Sequence, residues 1–269
     1  MNKVTDFLKQ ITIDKKNHGI QYAIENLRDF IRKNSLTDET LLRCVRRICR
    51  FILERKANLA DWEKKQLEDY LENSIFEDEV KYEYYRCLAD LYEGLGRYEE
   101  AYQMVRGAIS CVSPYDYSKP HKLSNCFFQD ARILHKNKII RPKDNLVGFL
   151  YLIKSRIYEV ICEINSALLG YPERITGIKE NFFNADYEFE IELYDSFLTD
   201  LELLDKKQNI EFEILDFINN SLLKSMKIDL SNKETLSIEY LKNCTIFEDD
   251  EIIYKFCDDI AKKYLPRSA

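Results

Sequence analysis

Four arginines, Arg43, Arg46, Arg47 and Arg50, stand at i, i+3, i+4 and i+7. On a helix that spacing makes one continuous basic stripe, opposite Leu42, Val45 and Cys49. Guanidinium forks pair with carboxylates and phosphates. Three readings are open: a dock for an acidic partner or a nucleic-acid backbone, an internal dock for the acidic C-terminal part of the same chain, or a solvated face. Few aromatic residues interleave with the stripe, so base stacking is not indicated.

The other chemistry-bearing residues do not assemble into a motif. His121, Cys126 and His135 lack the close ligand pair and the fourth ligand of a zinc site, so no metal is expected. Arg132 and His135 stand too close in sequence for the Arg…His pair of HEPN ribonucleases. Asp249, Asp250 and Glu251 precede an apolar-periodic segment (Ile252, Ile253, Phe256, Ile260), where favourable interaction with a helix N-terminus accounts for them. There is no phosphate-binding glycine loop, no H-E-x-x-H and no G-x-S-x-G. No catalytic residue and no cofactor are expected. An all-helical enzyme whose residues meet only in space is one remaining alternative.

The elements that would position these residues read as helices. Among 269 residues only 7 are Gly and 5 Pro, too few for the turns of a sandwich or barrel. Ile20, Ala23, Ile24, Leu27, Phe30 and Ile31 form one buried stripe. Ser35-Leu36-Thr37-Asp38 reads as the start of the next helix, burying Leu41, Leu42, Val45, Ile48, Cys49 and Ile52. Asn58 would cap a third, with Leu59, Trp62, Leu67, Tyr70 and Leu71 on its apolar face. Helices are expected at about 78–94, 97–112, 124–136, 146–169, 209–226, 234–243 and 249–264, with loops at 113–122 and 137–145. The 146–169 segment is apolar on most sides and should be central. Residues 187–193 alternate apolar and acidic, a strand signal, yet also carry a helical stripe. Helix is the better reading, because Glu favours helix and no second strand exists to pair with it.

Residues 82–115 carry the pattern Tyr85-x2-Leu88-Ala89-x2-Tyr92, then Ala101-x3-Val105, then Pro114, with Gly96 and Tyr98 between the helices and Ala108 at a second small position. This resembles a tetratricopeptide repeat, a helix–turn–helix unit of about 34 residues that packs against neighbouring helices. The resemblance implies an all-α fold of antiparallel helix pairs, tetratricopeptide-like or an irregular α-solenoid, whose groove holds a partner segment. Glu83, Arg86, Asp90 and Glu93 would be the polar groups on the groove side.

Charge is unevenly placed. Residues 1–73 hold 15 basic and 12 acidic residues, net +3, and residues 177–269 hold 11 and 21, net −10. The total of −7 disfavours a general nucleic-acid binder. Gly170, Pro172 and Gly177 mark the clearest break, so a helical domain at 1–169 and an acidic region at 178–269 are expected, packed as two halves or as one. The eight cysteines sit singly without C-x-x-C pairs and read as small buried hydrophobes. Met1 to Lys16 has no apolar core of a signal peptide, and Leu146 to Leu169 is interrupted by charges, so a cytoplasmic protein off the membrane is expected. The expected function is a non-enzymatic protein-interaction module: an adaptor, chaperone, inhibitor or immunity protein, or regulatory subunit. A nucleic-acid-associated accessory factor using Arg43–Arg50 is the main alternative.

Overall fold

The computed structural model describes residues 3–34, 36–53, 59–74, 81–113, 118–137, 142–168, 188–225 and 250–264. Every regular element among them is helical. The expectations on Ser35, Asn58, Pro114, the 170–177 break, Tyr187, Asp249 and a helix at 234–243 fall outside these residues. The chain divides into two compact units, Met1–Cys111 and Val112–Ala269.

The first unit contains α1 (Lys3–His18), α2 (Ile20–Lys33), α3 (Asp38–Leu53), α4 (Asp61–Ser74), α5 (Lys81–Gly94) and α6 (Tyr98–Ser110). Helix α1 was not foreseen; its Phe7 stacks on Phe30 of α2 with ring centroids 3.9 Å apart. The predicted face of α2 is buried at Ile20, Ala23, Ile24 and Leu27. Helix α5 is the centre of this unit and packs against α3, α4 and α6. Its end follows from Gly96, which takes φ +79°. The Arg97 N–H then reaches back to the Tyr92 carbonyl at 2.8 Å and the Gly96 N–H to Glu93 at 3.1 Å, the paired bonds of a glycine-terminated helix. Helix α6 returns along α5 with Ala101, Val105 and Ala108 buried.

The second unit contains α7 (Lys119–Asn137), α8 (Pro142–Leu168), α9 (Glu188–Asp200), α10 (Lys207–Phe217, continued by a π turn through Leu222 and a last turn to Ser225) and α11 (Asp250–Tyr264). Pro142 lies inside α8 rather than in the expected loop. It opens the helix, where its missing N–H costs nothing. Leu134 meets Gly148, Phe127 stacks on Tyr151, and Ser155 donates to the Ser124 carbonyl at 2.9 Å. Because one number falls as the other rises, α7 and α8 are antiparallel.

Helix α8 is as central as its composition requires, with Phe149, Leu152, Ile153, Ile157, Val160, Ile161 and Ile164 buried. An apolar surface on most sides needs several neighbours, and α9 and α11 supply two of them. The unit boundary therefore lies at 111–112, and α8 belongs with the acidic C-terminal helices rather than in a domain ending at 169. From Glu188 onward, the ambiguous acidic segment is helix, burying Leu193, Tyr194, Phe197 and Leu198. Among the described residues, no helix is long and apolar enough to cross a membrane.

Candidate functional site

A concave surface of the first unit lies between α2, α3 and α4. Helix α2 contributes Arg28, Ile31 and Arg32, α3 contributes Leu41, Val45 and Ile48, and Trp62, Glu63, Gln66, Leu67 and Tyr70 come from α4. Each set recurs at three- and four-residue steps, so each is one face of its helix. The cleft has a volume of about 470 Å³, within the usual ~300–1,000 Å³ of ligand clefts.

The walls are held by polar contacts. Glu63 accepts the Ala60 N–H at 3.0 Å, capping the start of α4, and also pairs with Arg28 of α2. On its far side α4 is tied to α5 and its terminal turn. The Tyr92 hydroxyl donates to Glu72 at 2.7 Å and lies 3.2 Å from Glu68, while Arg97 donates to Glu68 at 2.8 Å. Burial, with those carboxylates, pushes the Tyr92 phenol up, so it stays a neutral donor.

Trp62 was expected on the apolar face of α4. Instead this sole tryptophan stands 64% exposed at the cleft rim. Arg32 is exposed beside it, and no acidic group among the described residues pairs with it.

The groove expected along α5 is not open. Arg86 is 8% exposed, Asp90 6% and Glu93 0%. The packing of α3, α4 and α6 on α5 buries these three side chains. Glu83 is half-buried and accepts from Arg46 at 2.7 Å. The arginine stripe does form on α3, and its members have different fates. Arg43 donates to the Thr5 hydroxyl of α1 at 3.2 Å, and Arg46 docks on Glu83 of α5. Arg47 is half-exposed and Arg50 exposed.

His121, Cys126 and His135 do not converge. Cys126 is buried, the His121 ring contacts Asn125, and His135 packs edge-on against Phe197 with Asp200 at 3.7 Å. Among the described residues no group of three His, Cys, Asp or Glu side chains is placed to hold a metal ion. Cys44, Cys49, Cys87, Cys126 and Cys257 are buried thiols. Burial pushes Cys87 and Cys257 up to about 12, so neither offers a thiolate nucleophile near neutral pH.

In the second unit a depression between α10 and α11 is lined by Phe212, Phe217 and Phe256 with Glu213, Asp216 and Asp259. Within it Phe217 and Phe256 stack on each other with ring centroids 4.2 Å apart.

Compared with protein-family models, curated proteins and solved structures, the chain matches none.

Proposed function

We propose that this protein is a non-enzymatic interaction module that takes an apolar segment of a partner protein into the α2–α3–α4 cleft. The observation that carries this is Trp62, exposed at the mouth of a cleft walled by Ile31, Leu41, Val45, Ile48, Leu67 and Tyr70. Tryptophan, tyrosine and arginine beside an apolar pocket are the residues that dominate measured binding energies. Arg28 is already matched by Glu63, whereas Arg32 is not. The occupant is therefore a segment whose apolar side chains are flanked by a carboxylate, which Arg32 can take as a forked pair. The resemblance of residues 82–115 to a tetratricopeptide repeat supports the same class of function through its helix–turn–helix packing. The binding face is moved from α5 to the cleft in front of α3. Adaptor, chaperone, inhibitor and regulatory-subunit roles all use such a surface.

The test is selection of a random peptide library on the intact protein, followed by affinity measurement from Trp62 emission and calorimetry. Selected peptides should share two or three apolar positions at helical or alternate spacing next to an acidic residue. Trp62→Ala should weaken them by at least about tenfold, while shifting folding stability by no more than about 0.5 kcal/mol, since the side chain is mostly in water. A selection without consensus, or peptides that bind the Trp62→Ala protein equally well, would sink this reading.

A further inference from the structure

Helix α4 packs along α5 but not closely on α2 or α3, whereas α3 packs on both α2 and α5. Where α2 and α4 approach, the Arg28–Glu63 pair joins them. The space left between them grades from dry to wet. Val45 and Ile48 of α3 form its floor, each 4% exposed. Ile31, Leu41, Leu67 and Tyr70 stand half-buried around that floor. Arg32, Trp62 and Gln66 are exposed at the rim. From Leu41 to Ile48 the lining follows about 10 Å of α3, and from Trp62 to Tyr70 about 12 Å of α4, at a 1.5 Å rise per residue.

The walls restrict the form of what can enter. These residues lie inside helices, whose N–H and C=O groups bond to one another. The first turn of α4 is closed as well. The Ala60 carbonyl accepts from the N–H of Glu63 at 3.0 Å and of Lys64 at 3.2 Å, and the Glu63 carboxylate accepts the Ala60 N–H. The cleft therefore presents side chains and hardly any free main chain. An extended segment laid along it would bring about four residues at ~3.3 Å each. Their N–H and C=O groups would enter apolar surroundings without partners, which is unfavourable. Strand addition needs a sheet edge, and a polyproline segment needs a groove of aromatic rings, whereas the floor here is aliphatic. An α-helix satisfies its own main chain and needs only an apolar face to match the cleft. Two turns of helix fit the length of the lining. Charge selects further. Arg28 is answered by Glu63, while Arg32 has no carboxylate partner among the described residues.

We propose that the occupant of the cleft is one amphipathic α-helix of another protein, seated for about two turns. Its apolar residues at i, i+3 or i+4, and i+7 lie over Val45 and Ile48, and an acidic residue on one edge faces Arg32. This rests on the cleft being the binding face and adds the form in which the partner is held.

The probes are peptides of about 16 residues, long enough to form several helical turns, selected from a random library on the intact protein. Their consensus should recur at helical spacing. Proline placed between two consensus apolar positions should weaken binding roughly a hundredfold. A lactam joining two outward-facing positions at i and i+4 should strengthen it several-fold, because less ordering remains to be done on binding. Arg32→Glu should weaken binding a few-fold, and a peptide whose consensus acidic residue is changed to Lys should prefer the Arg32→Glu protein. Trp62→Ala separates the two levels. Peptides that depend on Trp62, yet tolerate proline and lose affinity when bridged, overturn the helix and leave the cleft as the binding face. Selection without consensus, or peptides indifferent to Trp62→Ala, overturns both. Concentration-dependent dimerisation that Trp62→Ala abolishes, with no peptide able to compete, overturns the proposal in favour of a second copy of this chain.

Discussion

Replacing Asp250 by Ala lowers stability by about 2–3 kcal/mol, the cost of stranding buried partners of a partly shielded ion pair. Asp250 opens α11 and accepts two hydrogen bonds there, one from Lys119 of α7 and one from the Tyr158 hydroxyl of α8, each at 2.6 Å. Lys119 is only 7% exposed, so without the carboxylate its ammonium is left in a poorly hydrated place. Burial, with help from Asp250, pushes the Tyr158 phenol up, and it remains a hydroxyl donor without an acceptor in the variant. The loss also removes an acidic group from the positive end of a helix. Urea unfolding followed by far-ultraviolet circular dichroism measures the effect. Tyr158→Phe, which deletes one hydrogen bond and strands no charge, should cost only about 1 kcal/mol. Combining Lys119→Met with Asp250→Ala should recover part of the loss, because the stranded charge is gone. An Asp250→Ala protein as stable as its parent would show that α11 is not held at this point.

The second large effect is at Gly94, the last residue of α5. A methyl group there would lie 2.9 Å from the carbonyl carbon of Ile52 and 2.9 Å from the nitrogen of Leu53. Both obstacles are backbone of α3, so relief requires moving a helix and not turning a side chain. Ala gains up to about 1 kcal/mol of helix propensity over Gly, but overpacking of this kind costs about 1–3 kcal/mol or more. With the overpacking cost at the upper end of that range, a net loss of about 2 kcal/mol is expected. Gly148→Ala is the informative comparison. Its methyl meets the tip of the Phe197 ring at 2.8 Å, a side chain that can shift, and the loss should be smaller. If Gly94→Ala is neutral in urea unfolding, α3 and α5 stand farther apart than described.

Most helices were legible because their signals are local. The stripe from Ile20 to Leu27, the apolar run of α8 and the Gly96 turn each depend on residues within a few positions of one another. The partition into units was not legible, since it depends on which helices cover α8, and the strongest local break in the chain says nothing about that. The candidate site was half legible. The arginine spacing on α3 identified a real face, yet only the fold shows that Arg43 is engaged by Thr5 and Arg46 by Glu83, while Arg50 is exposed. Glu83, Arg86, Asp90 and Glu93 share the spacing of an exposed polar edge, but three helices converge on α5 and bury Arg86, Asp90 and Glu93. Trp62 gave the opposite error. A tryptophan at a helical apolar position reads as core, and only the gap left between α2 and α4 puts it in water. A lone Trp next to Glu63, Gln66 and charged neighbours was the available hint.

The position of Trp62 has a practical corollary for anyone watching this protein by light. With a single tryptophan, emission excited at the red edge of the protein spectrum comes from one indole that is already largely in water in the native state. Its colour hardly distinguishes folded from unfolded protein, so the usual optical readout of denaturation is nearly blind here. The same indole is therefore better placed to report on the cleft than on the fold: its emission should change most when something excludes water from between α2 and α4.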